Sequence, residues 1–117
     1  MNRRAHTLFT VALAGGLCLM IPDNPDAALC AGGALAGIVL TPDLDMSDTP
    51  YGWTHKHRGI SHWPVVGTLD RVLWFLGPAL VAWLWTGRAV DWAALALLFA
   101  GLCTADGLHV LLDELKI

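Results

Sequence analysis

Five histidines and a handful of aspartates hold nearly all the reactive chemistry of this chain, and they fall in three short segments. His6 stands near the start. A central stretch reads Thr41-Pro42-Asp43-Leu44-Asp45 and then Thr54-His55-Lys56-His57-Arg58-Gly59-Ile60-Ser61-His62. Asp106, His109 and Asp113 close the sequence. Imidazole nitrogen and carboxylate oxygen together suit zinc, manganese or iron. Cys18, Cys30 and Cys103 form no C-x-x-C pair, which disfavours a purely structural zinc finger and leaves each as a small, buried apolar residue.

The spacings fit ligation. His109 and Asp113 are four apart, one above the other on a helix, with Asp106 a turn earlier on that face. Asp43 and Asp45 flank Leu44, so an extended or turn conformation aims both carboxylates one way. His57 and His62 bracket a turn that Gly59 allows to bend sharply. His6, Asp43, Asp45, His57, His62, His109 and Asp113 are the candidate metal ligands. They outnumber the four that one tetrahedral zinc takes. The surplus implies either two ions about 3.5–4 Å apart or partners that orient the imidazoles.

Each residue also has an ordinary structural reading. His6 and His55 can be tolerated polar residues, Asp43-x-Asp45 a helix cap or Asx turn, and Asp106 a polar residue inside a helix. His109 with Asp113 can be a simple i,i+4 pair. Coincidence favours the joint reading, because three of the five histidines lie within eight residues. A calcium loop starting at Asp43 fails, since Asp48 stands where glycine is needed and Thr54 where glutamate is needed. H-E-x-x-H, G-x-S-x-G and phosphate-loop motifs are missing.

The elements that must position these groups are apolar. Of 117 residues, 56% are hydrophobic and 15% charged. An average soluble domain is nearer ~45–50% and ~25%. The net charge of -3, with seven scattered Lys and Arg, speaks against a nucleic-acid partner. Apolar stretches run over 8–21, 27–40, 65–85 (interrupted by Asp70-Arg71) and 92–112, all too long for strands. The expected fold is therefore all-α, a single-domain four-helix membrane-embedded bundle with a metal-site loop at about 41–64. The first two stretches hold only about 14 residues each, short of the ~20 that a span needs, so a soluble bundle stays in view. Arg3 and Arg4 before the first stretch resemble a signal peptide, but no small-x-small cleavage site follows, so a retained helix is expected. The basic residues place both termini and the central loop in the cytoplasm, for a multi-pass protein of the inner membrane. Its partner is then the lipid bilayer, with Trp53, Trp63, Trp85 and Trp92 as interfacial anchors. Hairpin connections put the start of the first helix, the central loop and the end of the last helix at one end of the bundle.

The order His6, Pro42-Asp43-Leu44-Asp45, His57-Arg58-Gly59-Ile60-Ser61-His62 and His109-x-x-x-Asp113 resembles the small membrane-bound metal-dependent hydrolases of bacteria and archaea. It is similar to a metal-binding family with Pro-Asp-Leu-Asp and His-Arg-x-x-Ser-His segments, and to the inner-membrane YdjM-like hydrolases. Those families are distantly grouped with the helical folds of zinc-dependent phospholipase C and P1 nuclease. The resemblance implies that His6, Asp43, His57, His62, His109 and Asp113 bind metal, with Asp45 a ligand or an orienting group. It also implies hydrolysis of phosphate esters, lipid-derived ones among them. The central loop is short, which leaves little material for a substrate pocket.

The mechanism expected on that basis uses one or two divalent ions, zinc first and manganese or iron as alternatives, to activate water. Arg58 is the candidate catalytic side chain, since a guanidinium binds phosphoryl oxygens bidentately; its ordinary reading is a lipid-headgroup contact. Ser61 braces the loop. The alternative function is a non-enzymatic membrane protein with a structural metal.

Overall fold

Asn24-Pro25 and Thr49-Pro50 each set a capping side chain before a proline, which starts a helix at little cost because its missing N–H falls where no partner exists. The computed structural model, which describes residues 3–20, 23–56, 59–63 and 65–115, starts helices at both places. The Asn24 side chain accepts hydrogen bonds from the amides of Asp26 (2.9 Å) and Ala27 (3.3 Å). In chain order the helices are α1 (Arg3–Met20), α2 (Pro25–Ala36), α3 (Pro50–Thr54), α4 (Val66–Trp85) and α5 (Trp92–Glu114). Tight 3-10 turns at Pro42–Met46 and Ile60–His62 flank α3. No strand occurs among the described residues.

The chain divides into two units, Met1–Thr41 with Ala93–Ile117, and Pro42–Trp92. The first packs α1, α2 and α5 around Ala14, Ala31, Ala34 and Ala105, with Leu13 and Leu17 against them. Small residues allow α2 and α5 to meet backbone to backbone. A Cβ on Gly33 would fall 1.9 Å from the Leu98 carbonyl oxygen, and one on Gly101 equally close to that of Cys30.

The second unit is built on the loop and the start of α4. Its interior holds Pro42, Tyr51, Ser61, Thr68 and Arg71, all essentially inaccessible to solvent. Gly67 brings the first turn of α4 against the 60–61 backbone, where a Cβ would lie 2.5 Å from the Ile60 carbonyl oxygen. Beyond Arg71, α4 presents Leu73, Trp74, Phe75, Leu76, Val81, Trp83, Leu84 and Trp85 to solvent.

The multi-pass membrane expectation fails here. Among the described residues only α5 is both long and apolar enough to cross a bilayer, and the core helix of a globular protein passes the same test. α2 has 12 residues, hence about 18 Å of helix against a hydrocarbon core of ~30 Å. α4 has 20 residues, but Asp70-Arg71 interrupts its apolar run and it does not meet the same requirement. Much of the apolar excess that pointed to lipid is exposed, on α4 and also on α1, α5 and the central loop. Composition measures how much apolar surface a chain has, whereas spanning depends on its unbroken length. The cysteines also depart from expectation, since Cys18 is exposed and Cys30 and Cys103 are only partly buried.

Candidate metal centre

In the first unit the helix α1 starts at Arg3, ahead of the apolar stretch, so His6 lies inside the helix with Thr10 one turn on. The Thr10 hydroxyl donates to the His6 carbonyl at 2.9 Å. His6 meets α5 across 103 residues of sequence, its Nδ1 2.9 Å from Nδ1 of His109. The two rings are perpendicular, with centroids 4.5 Å apart. Asp113 faces both imidazoles: Oδ1 is 3.5 Å from His6 Nε2, and Oδ2 is 3.3 Å from His109 Nε2. All three side chains are under a tenth exposed. Two imidazoles and one carboxylate converge here, with Asp106 buried one turn before His109 on the same helix.

The second unit holds a cluster of its own. His62, at the end of the 60–62 turn, has Nε2 3.6 Å from Asp43 Oδ1 and Nδ1 3.2 Å from Asp45 Oδ2. Asp45 is fully buried and accepts a 2.6 Å hydrogen bond from the Ser61 hydroxyl. The Arg71 guanidinium donates to the Ser61 carbonyl, which ties the turn to α4. The Pro42–Met46 turn is what brings Asp43 and Asp45 to the same imidazole. His57 and Arg58, a candidate ligand and the candidate catalytic residue, lie outside the described residues.

A polar cluster that the ligand spacing did not reveal centres on Asp70. Its Oδ2 is 2.8 Å from His55 Nε2 and accepts a hydrogen bond from the Tyr51 hydroxyl at 3.0 Å. The Tyr51 and His55 rings stack at 3.8 Å, and Trp74 meets both edge-on. The available signal was Asp70-Arg71 inside an apolar run, where a charged pair is costly unless partners await it. Sequence reading treated that pair as a mere interruption. Arg71 proves to be a fully buried brace and Asp70 the anchor of His55.

Burial pushes the Tyr51 phenol far above its ordinary value, and its hydrogen bond to Asp70 adds to the effect. Because the folded state raises this pKa, the phenol's contribution to stability is complete below the unfolded value of about 10 and declines as pH rises beyond it. Tyr51 is the chain's single tyrosine, so tyrosinate absorbance reports it alone. Ionisation is expected to be absent at pH ~10 and to appear only with unfolding at higher pH. A reversible midpoint near ~10 in the folded protein would contradict this.

Sequence comparison adds one result. A family described as uncharacterized metal-binding proteins, DUF2227, matches residues 3–94. That span takes in His6, Asp43, Asp45 and His62 and stops before His109 and Asp113. No curated protein and no solved structure matches the chain. The family's description covers metal binding and says nothing of hydrolysis. With clustered imidazoles and carboxylates in place and most of the chain matched, this protein belongs to the DUF2227 family of uncharacterized metal-binding proteins.

Proposed function

We propose that the chain binds divalent metal through its buried histidine and aspartate side chains, His6, His109 and Asp113 in the first unit and His62 with Asp43 in the second, and uses it to hydrolyse phosphate esters. The donor set carries the reading. In the first unit two imidazoles and one carboxylate converge, three of the four donors that a tetrahedral site takes, and His62 with Asp43 offers the same chemistry in the second. Asp43 Oδ1, His62 Nε2, His109 Nε2 and both Asp113 oxygens are screened from solvent, where a carboxylate is costly and a nearby cation offsets the cost. Nitrogen and oxygen donors without thiolate suit zinc first, then manganese or iron.

A bound ion of this kind acts as a Lewis acid toward water and phosphoryl oxygens. The chain's own groups hold it and set its surroundings: His6 against His109, Asp45 and Ser61 against His62. Arg58 is the guanidinium in the central loop suited to hold a phosphoryl oxygen pair. The burial of the ligand atoms supports a second reading, in which the metal serves folding alone.

Metal analysis by mass spectrometry is the test, on the wild type beside Asp43→Ala, His62→Ala, His109→Ala and Asp113→Ala. The expected result is about one or two equivalents of zinc, manganese or iron in the wild type, and less in every variant. Chelator-sensitive cleavage of bis-p-nitrophenyl phosphate distinguishes hydrolysis from a structural metal. A wild type that stays metal-free after reconstitution overturns both readings.

A further inference from the structure

We infer that Asp45 is a positioning residue, which fixes the neutral His62 ring in the tautomer that carries its lone pair on Nε2, the form that binds metal. The inference rests on the proposal that His62 is a ligand, and it deepens that proposal by removing Asp45 from the ligand set.

Hydrogen-bond accounting within the second unit carries it. Ser61 has one hydroxyl hydrogen, and the 2.6 Å contact spends it on Asp45 Oδ2. The same hydroxyl oxygen lies 3.1 Å from His62 Nδ1. With its hydrogen already given away, that oxygen can only accept, so Nδ1 must carry the hydrogen. The 3.2 Å approach of Asp45 Oδ2 to Nδ1 independently demands the same, because an ionised carboxylate accepts and never donates. Both contacts put a hydrogen on Nδ1, so in the neutral ring the lone pair is on Nε2, the nitrogen that faces Asp43 and that metal would take in place of a proton. A carboxylate behind a ligating imidazole commonly fixes its orientation and raises its basicity.

The rest of the unit holds this arrangement still. Asp45 has no exposed side-chain surface, and Arg71 grips the Ser61 carbonyl from α4. Gly67 packs against the same carbonyl, where a Cβ would come within 2.6 Å. The Ser61–His62 backbone is therefore gripped from the α4 side while Asp45 holds the ring.

The discriminating substitutions are Asp45→Ala and Ser61→Ala. Without the Asp45 carboxylate the Ser61 hydroxyl is released to donate to Nδ1, so the hydrogen should move to Nε2. Without the Ser61 hydroxyl, Asp45 still faces Nδ1 and the tautomer should stay. Ring ¹⁵N chemical shifts of His62 in metal-free protein, at a pH where the ring is neutral, read this directly. Zinc affinity by chelator competition gives the second readout. The expected results are Nδ1–H in the wild type and in Ser61→Ala, Nε2–H in Asp45→Ala, and zinc binding weakened ~10–100-fold in Asp45→Ala at unchanged stoichiometry. Nε2–H in the wild type overturns the inference, as does an Asp45→Ala variant with unaltered tautomer. Loss of zinc in Asp45→Ala as complete as in His62→Ala makes Asp45 a ligand and also overturns it. Should Asp45→Ala fail to fold, the wild-type tautomer and Asp45→Asn affinity decide. A wild type that binds no zinc yet shows the Nδ1–H form would refute the metal proposal while leaving the tautomer lock standing.

Discussion

Replacing Gly101 by alanine is expected to destabilise the protein by about 3 kcal/mol, the range in which overpacking a tight interior lies. An added Cβ would fall 1.9 Å from the Cys30 carbonyl oxygen and 2.9 Å from the Ala34 amide nitrogen. These are backbone atoms, so no side chain can rotate away and α2 and α5 must separate. Gly33→Ala should behave alike, because its Cβ would meet the Leu98 carbonyl at the same distance. Gly15 and Gly16 in α1 provide the control, since no atom lies within 4 Å of an added Cβ at either. There alanine should stabilise by about 0.5–1 kcal/mol through helix propensity alone. Urea denaturation of the four variants checks the change of sign. Equal effects at all four positions would mean that α2 and α5 do not touch through their glycines.

Stripping the metal is expected to lower the unfolding midpoint of the wild type. An ion that binds only the folded chain stabilises it by about 2.7 kcal/mol at a free concentration 100-fold above its Kd. His109→Ala and Asp113→Ala should lose that increment, so their midpoints become the same with and without chelator. The contrast matters more than the absolute midpoints, because either substitution also disturbs the buried contacts with His6. Thermal melts with and without a saturating chelator measure it. A wild type insensitive to chelation, after metal loading has been verified, contradicts a centre built on these residues.

Much of the local structure is legible in the residues themselves. The long Leu- and Ala-rich runs allow little besides helix, whereas α3 starts at Thr49-Pro50 inside the expected loop, so five helices stand among the described residues where four were expected. The candidate donors are equally plain from residue type, because no other part of the chain gathers histidine with aspartate. The limits of α1 and α2 were less legible. α1 begins five residues before its apolar stretch and so includes His6, while α2 stops at Ala36 rather than running on to 40. Apolar periodicity marks the face that packs, not the residues that cap it.

What this sequence determines by itself is therefore its helical character, its metal-suited donors and the family to which it belongs. Tertiary structure alone decided which glycines matter, since Gly15-Gly16 and Gly32-Gly33 look alike along the chain and only Gly33 meets another backbone at 1.9 Å. It decided that His6 and His109 touch, that Asp45 faces His62 Nδ1, and that Asp70-Arg71 is an anchor and a brace rather than a break in a span. It also overturned the multi-pass reading. Local propensities are written in neighbouring residues, but these contacts join segments up to 103 positions apart, and their partners are chosen by packing and desolvation that no short stretch of sequence contains.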